Sequence, residues 1–295
     1  MAKIPATELI LNPNGSIYHL NLLPHEIAEK VVFVGDPERV STVTQHFDKL
    51  EFTRQKREFC TSTGWLQGQR ITVLSTGIGT DNIDIVFNEL DALVNIDFEN
   101  RTIKEELTSL KVMRLGTCGG LQKEIPVGSI VNSQYALGLE GLMEYYQSAS
   151  NATETELKEN FATYLQTHQL RLSYFYATEC SASGYELLAK QSDIYQGITL
   201  TAKGFYAPQG RSLGRVGITH PNIIDICADF QYLNSRVTNL EMETAGILAL
   251  GKAFGHECLS LSVILANRAS HTFSQNPEKD VEKLVEKGVE LLLKW

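Results

Sequence analysis

Asn239-Leu240-Glu241-Met242-Glu243-Thr244-Ala245-Gly246 carries an extended segment into an apolar helix, with two carboxylates flanking a methionine at the change. A strand that hands over to a helix in this way is the building step of an α/β fold. The stretch places Glu243 at a strand-to-helix corner, where its carboxylate can face a ligand. The same residues suit a buried Met beside a helix-capping Glu equally well.

Working outward, short apolar or β-branched runs predict strands over Val31–Val34, Ile71–Ser75, Lys111–Leu115, Ser129–Asn132, Gly197–Thr201 and Ser260–Leu265. Helical spacing predicts helices over Pro37–Phe47, Ile83–Val94 and Thr244–Phe254, with a further one near Phe161–His168. In the last segment, Glu278–Lys294, the residues Val281, Leu284, Val285, Leu291 and Leu292 mark one helix face that should pack on the sheet. Asn95–Leu110 is charged and Gln147–Asn160 is polar, and both read as surface excursions. The expected architecture is one α/β domain over residues 1–295: a mixed, twisted central β-sheet flanked by helices, with the site at strand ends.

The 295 residues are 43% hydrophobic, enough for a continuous core, and the net charge of -9 counts against nucleic-acid and anionic-membrane surfaces. An anionic substrate would have to be held by a few local arginines. The five cysteines form no C-x-x-C pair, which fits free thiols in a reducing compartment. The seven histidines are never three to five residues apart, so a transition-metal site is not expected. No basic start followed by a long apolar stretch stands at the N-terminus, and a cytoplasmic location is expected.

Four motifs carry chemistry. Gly35-Asp36-Pro37-Glu38-Arg39 follows the first strand with a Pro suited to a first helical turn; its N–H groups and Arg39 can bind an anion or simply shape a turn. Ser75-Thr76-Gly77-Ile78-Gly79-Thr80-Asp81-Asn82 fails to complete G-x-G-x-x-G, and no P-loop exists, so dinucleotide and nucleoside-triphosphate readings lose support. Arg114 sits inside an apolar strand before Leu115-Gly116-Thr117, where a charge needs a partner, either a structural carboxylate or a bound phosphate. Phe205-Tyr206-Ala207-Pro208-Gln209-Gly210-Arg211 joins an aromatic face to an amide and a guanidinium, which suits a pyrimidine edge or an ordinary surface turn.

Together, and in this order, Gly35–Arg39, Arg57-Glu58-Phe59, Ser75–Gly79, Arg114–Thr117 and Glu241–Glu243 resemble the nucleoside phosphorylase superfamily over about Tyr18–Leu293, and the Phe205–Arg211 loop resembles its uridine phosphorylase branch. The resemblance implies that Gly35, Arg39, Arg114 and Thr117 bind phosphate, with Arg57 and His19 supplied by a neighbouring subunit. It implies that Glu243 accepts hydrogen bonds from the ribose, that Met242 packs on the sugar and that Glu241 fixes the segment. Phe205 would pack on the base while Gln209 and Arg211 read its edge, Arg211 stabilising the leaving charge. The catalytic set is then Arg114, Arg211 and Glu243.

In the purine branch an Asp protonates the base; here Asn267 holds that place. The implied reaction is phosphorolysis of uridine, with inorganic phosphate as co-substrate and no organic cofactor. Rival readings are a purine nucleoside phosphorylase or nucleosidase on the same fold, and an inactive nucleoside-binding protein. A shared site implies a homo-oligomer, a dimer or a hexamer as a trimer of dimers. The sequence departs from the family at Pro208, where Gly is common, and at Thr80-Asp81-Asn82. Some members hold potassium at the dimer interface through the positions of Glu58, Ile78 and Asn82, and the Asn82 substitution counts against that ion here.

Overall fold

The computed structural model describes residues 3–295. Strand β1 (Lys30–Val34) is followed by helix α1 (Pro37–Thr44), the hairpin β2 (Lys49–Lys56) and β3 (Phe59–Leu66), then β4 (Gln69–Ser75) and α2 (Thr80–Asn95). A small hairpin, β5 (Ile96–Asp97) and β6 (Thr102–Ile103), precedes β7 (Lys111–Gly120) and β8 (Ile130–Gly138). The second half runs α3 (Ala152–Thr167), β9 (Tyr176–Glu179), α4 (Ala182–Leu188), β10 (Tyr195–Thr201), α5 (Ile223–Ala228), β11 (Gln231–Tyr232), β12 (Ser235–Glu241) and α6 (Thr244–Phe254). It closes with β13 (Glu257–Asn267), β14 (Thr272–Phe273) and α7 (Pro277–Lys294).

The main sheet has the order β11-β12-β10-β8-β13-β7-β1-β4-β3-β2. β4, β1, β7 and β13 are mutually parallel, while β8 runs antiparallel to β13. Val31 to Val34 are buried without interruption, as expected of a parallel strand covered on both faces. β12 also pairs antiparallel with β7, Asn239 opposite Gly120 and Leu240 opposite Gly119, so β12, β10, β8, β13 and β7 close into a ring. That closure swings the Glu241–Glu243 corner onto the end of β7.

Helix α7 packs on β13, β7 and α1, with Leu284, Val285, Leu291 and Leu292 buried. The sheet is mixed and flanked by helices, as the alternation predicts. All six expected strands and the four longer expected helices are present, but α1 stops at Thr44 instead of Phe47. Gln147–Asn160 is not simply a surface excursion. Helix α3 begins at Ala152 behind a capping box in which the Asn151 side chain accepts from the Glu154 N–H and Glu154 accepts from the Asn151 N–H. Leu157, Phe161 and Leu165 are buried in the core from α3, with Tyr164 packed partly against it, so its apolar stripe is too sparse to stand out in a polar segment. The β2–β3 hairpin also escapes the pattern, because β2 is a charged edge strand.

Candidate active site

The parallel strands end on one edge, and a cavity of about 770 Å³ lies there. Gly35 and Arg39 reach it from the β1–α1 turn, Arg114 and Thr117 from β7, and Glu241, Met242 and Glu243 from the β12–α6 corner. Phe205, Gln209 and Arg211 close it from the loop after β10. Ten of the expected residues therefore share one concave site at strand ends, the usual position for a ligand in an α/β sheet.

At its centre Arg114 is 5% exposed. Its guanidinium lies 2.7 Å from Glu243 Oε2 and 3.1 Å from Glu241 Oε2, and Nη1 donates to Ser262 Oγ at 2.9 Å. The partners of this buried charge within the chain are thus carboxylates. Burial disfavours its charge, but the two carboxylates outweigh burial and hold Arg114 above the ordinary arginine value. Burial raises the Glu243 carboxyl; Arg114 opposes that shift and Glu241 adds to it. Glu241 accepts from the Thr201 hydroxyl at 2.6 Å and from the N–H groups of Glu243 and Thr244 at 2.9 and 2.8 Å, pinning the first turn of α6. Glu243 has fewer ties: Arg114 on one oxygen and the Gly79 N–H, at 2.7 Å, on the other.

Two features of this centre escape the sequence reading. Gly79 contributes its N–H to Glu243 from a turn that has φ of +89°, a conformation favouring glycine. Gly116 is needed because the Arg114 side chain folds back over it, and a Cβ there would collide with the guanidinium. The R-L-G spacing is the only sequence signal for that fold-back. Cys118 also lines the cavity, and burial pushes its thiol up, so it is an uncharged part of the wall.

Arg39 is half-buried, and burial followed by repulsion from Arg114 lowers it, against the attraction of Asp36 and Glu243. Asp36 is occupied in capping α1, accepting from the Glu38 N–H at 2.9 Å. Arg39 and Arg114 are close enough to repel each other, and Thr117 lines the cavity with them.

At the other end Gln209 is 2% exposed. Its Oε1 accepts from Arg211, whose guanidinium also donates to Phe205 O at 2.8 Å and sits 4.1 Å from the Phe205 ring centroid. Burial and the nearby Arg268 lower Arg211, and Arg268 donates to Gln209 O at 2.7 Å. Pro208 is accommodated inside a 3₁₀ turn over Ala207–Gln209, and Gly210 follows in the left-handed region.

One expected placement differs. Asn267 does not line the cavity: its Nδ2 donates to Gln122 O and Ile125 O at 2.8 Å, and its Oδ1 accepts from the Ala269 and Ser270 N–H groups at 3.0 Å. All of its hydrogen-bonding capacity serves the main chain. Arg57 is exposed at the β2–β3 turn, and His19 Nδ1 lies 2.7 Å from Glu89 Oε1; neither lines the cavity of its own chain. Among the described residues no group of three His, Cys, Asp or Glu side chains is placed to hold a metal ion, and no helix is long and apolar enough to cross a membrane.

The sequence pattern of the Phosphorylase superfamily matches residues 29–294. The chain belongs to that superfamily. It is 27% identical over 294 residues to the uridine phosphorylase of Thermococcus kodakarensis, covering 100% of this chain and 91% of the relative. It is also 27% identical over 287 residues to the uridine phosphorylase of Haemophilus influenzae, covering 94% and 99%. Among solved structures, a Trypanosoma brucei nucleoside phosphorylase described as having uridine phosphorylase activity superposes with a TM-score of 0.86 at 26% identity, over 97% of this chain and 100% of that one. A phosphorylase needs a phosphate site and a glycosyl site side by side, and the cavity sets Arg39 and Arg114 next to the Glu241–Glu243 corner.

Proposed function

We propose that the chain catalyses reversible phosphorolysis of uridine to uracil and ribose 1-phosphate. The observation that carries this reading is the meeting, in one cavity, of the Arg39–Arg114 pair, the Met242–Glu243 corner and the Gln209–Arg211 pair. Gly35, Arg39, Arg114 and Thr117 would bind inorganic phosphate as co-substrate. Glu243 would accept from the ribose hydroxyls, Met242 would pack on the sugar, and Glu241 would hold the corner in place.

Phe205 would pack on the base while the Gln209 amide and Arg211 read its edge. A phosphate oxygen bonds to C1′ as the C1′–N1 bond breaks, and the bonding pair leaves with the base, spread over its carbonyl oxygens. Arg211, tied to Gln209 and Phe205, would stabilise that charge where it develops. Positioning and electrostatics supply the acceleration in such a scheme, with no organic cofactor.

His19 and Arg57 line no part of their own chain's cavity, which supports a homo-oligomer in which a neighbouring subunit completes the site. A dimer meets that need, and a hexamer as a trimer of dimers meets it as well. Glu58 and Asn82 flank Gly77 at the cavity, with the Asn82 amide nitrogen nearest to it, and the substitution to Asn counts against potassium there. If the interface holds potassium, Glu58, Ile78 and Asn82 are the residues of this chain that would hold it, and the ion would neutralise local negative charge. Five buried free cysteines support a reducing, cytoplasmic setting, with pyrimidine salvage as the role.

Purified protein incubated with uridine, with and without phosphate, tests the proposal by chromatography of the products. Phosphate-dependent release of uracil and ribose 1-phosphate is expected. Uracil without phosphate would mean a nucleosidase, turnover of inosine alone a purine enzyme, and uridine binding without release an inactive binding protein.

A further inference from the structure

Phe273 is 63% exposed, yet its residue lines the cavity. It lies on β14, where it pairs directly with Ala266 of β13. Cross-strand partners in an antiparallel pair project to the same face, and Ala266 also lines the cavity, so the aromatic ring stands over a small neighbour at the cavity wall.

The backbone beneath the ring is pinned on both sides. Ser274 N–H donates to Leu265 O at 2.7 Å, and its hydroxyl donates to Asp280 Oδ2 at 2.5 Å. At the hairpin turn, Asn267 Oδ1 holds two N–H groups and the Ser270 and Thr272 hydroxyls bond at 2.9 Å. A side chain on so fixed a backbone loses little further freedom when a ligand packs against it.

Phe205, also at the cavity, carries the Arg211 guanidinium over its ring and meets Tyr206 in a T-shaped contact. The cavity is thus lined by two aromatic rings from different segments, Phe205 of the loop after β10 and Phe273 of the β13–β14 hairpin. We infer that Phe273 is a specificity-determining residue, the second aromatic wall of the base slot, and that it narrows this end against larger bases. The inference rests on the base end proposed above.

Phe273→Ala, Phe273→Leu and Phe273→Tyr test it, with calorimetric binding of uridine and inosine and steady-state kinetics in which nucleoside and phosphate are varied separately. Phe273→Ala should weaken uridine about tenfold through KM, leave the phosphate KM unchanged and lower the uridine-over-inosine ratio. Phe273→Tyr should restore both values, and Phe273→Leu should fall between. An unchanged uridine KM and an unchanged ratio in Phe273→Ala would overturn the inference. If the wild type takes inosine and not uridine, the proposed reaction and the narrowing against larger bases both fail, and weaker inosine binding in Phe273→Ala would leave only the aromatic wall standing. A wild type that binds neither nucleoside removes both.

Discussion

At one end of the cavity Arg114, Glu241, Glu243 and Ser262 are buried and bound to one another across β7, the β12–α6 corner and β13. At the other end Phe205 is 53% exposed, and Arg211 bonds to side-chain and main-chain atoms of its own loop. The first end is fixed by the sheet; the second is held by its own loop and by one bond from Arg268 to Gln209 O, and it can change with less disturbance of the core. Chemistry shared by the whole superfamily is therefore expected at the rigid end and base selection at the adaptable one.

The most severe way to break this contrast is Arg114→Ala. It leaves Glu241 and Glu243 buried without their cation, which should cost about 3–5 kcal/mol of stability. The phosphate KM should rise steeply at the same time. Thermal melting and phosphate-dependent kinetics check both, and a normal phosphate KM in a folded variant would remove the phosphate assignment.

Arg211→Ala probes the adaptable end. It should lower uridine turnover roughly 10²–10³-fold through lost charge stabilisation, with the phosphate KM and the melting temperature unchanged. A large loss of stability would mean that the loop belongs to the structural frame after all.

Gly116→Ala sharpens the comparison without deleting any charge. The new Cβ displaces the Arg114 guanidinium, and a shift of about 1 Å at a positioned group costs on the order of 10²-fold in rate. Its phosphate kinetics should resemble a mild form of Arg114→Ala, whereas equal kinetics for mutant and wild type would mean that Arg114 tolerates displacement.

His256 supplies a control away from both ends. Burial among Phe87 and Phe254 lowers its pKa from the ordinary 6.5 to about 4, while Nε2 lies 3.5 Å from Asp91 Oδ1 without a hydrogen bond. Because the folded value lies below the unfolded one, the stabilisation is present above pH 6.5 and is lost as pH falls through about 4. The loss should reach about 3 kcal/mol. Urea unfolding across that range measures it, and His256→Gln should remove this part of the slope.

Ten of the expected site residues share one cavity; the sequence singles them out through short motifs between strands and helices and through the resemblance those motifs carry together. Asn267 misleads because neighbours in sequence at the end of a strand need not face the same way: Leu265 and Ala266 line the cavity, and the Asn267 amide turns to the main chain. Helix α3 was half visible, since three buried apolar residues in sixteen give little periodicity.

By itself the sequence determined the α/β alternation, the covering helices and the set of chemically able residues, because apolar period, turn chemistry and buried charge are local properties. Which carboxylates meet Arg114, why Gly116 must lack a side chain, and that Phe273 joins Phe205 at the cavity were decided by the tertiary structure alone. The physical reason is the closure of β12 onto β7, a long-range pairing that no local pattern encodes and that brings Glu241 and Glu243, more than a hundred residues away in the chain, to the Arg114 guanidinium.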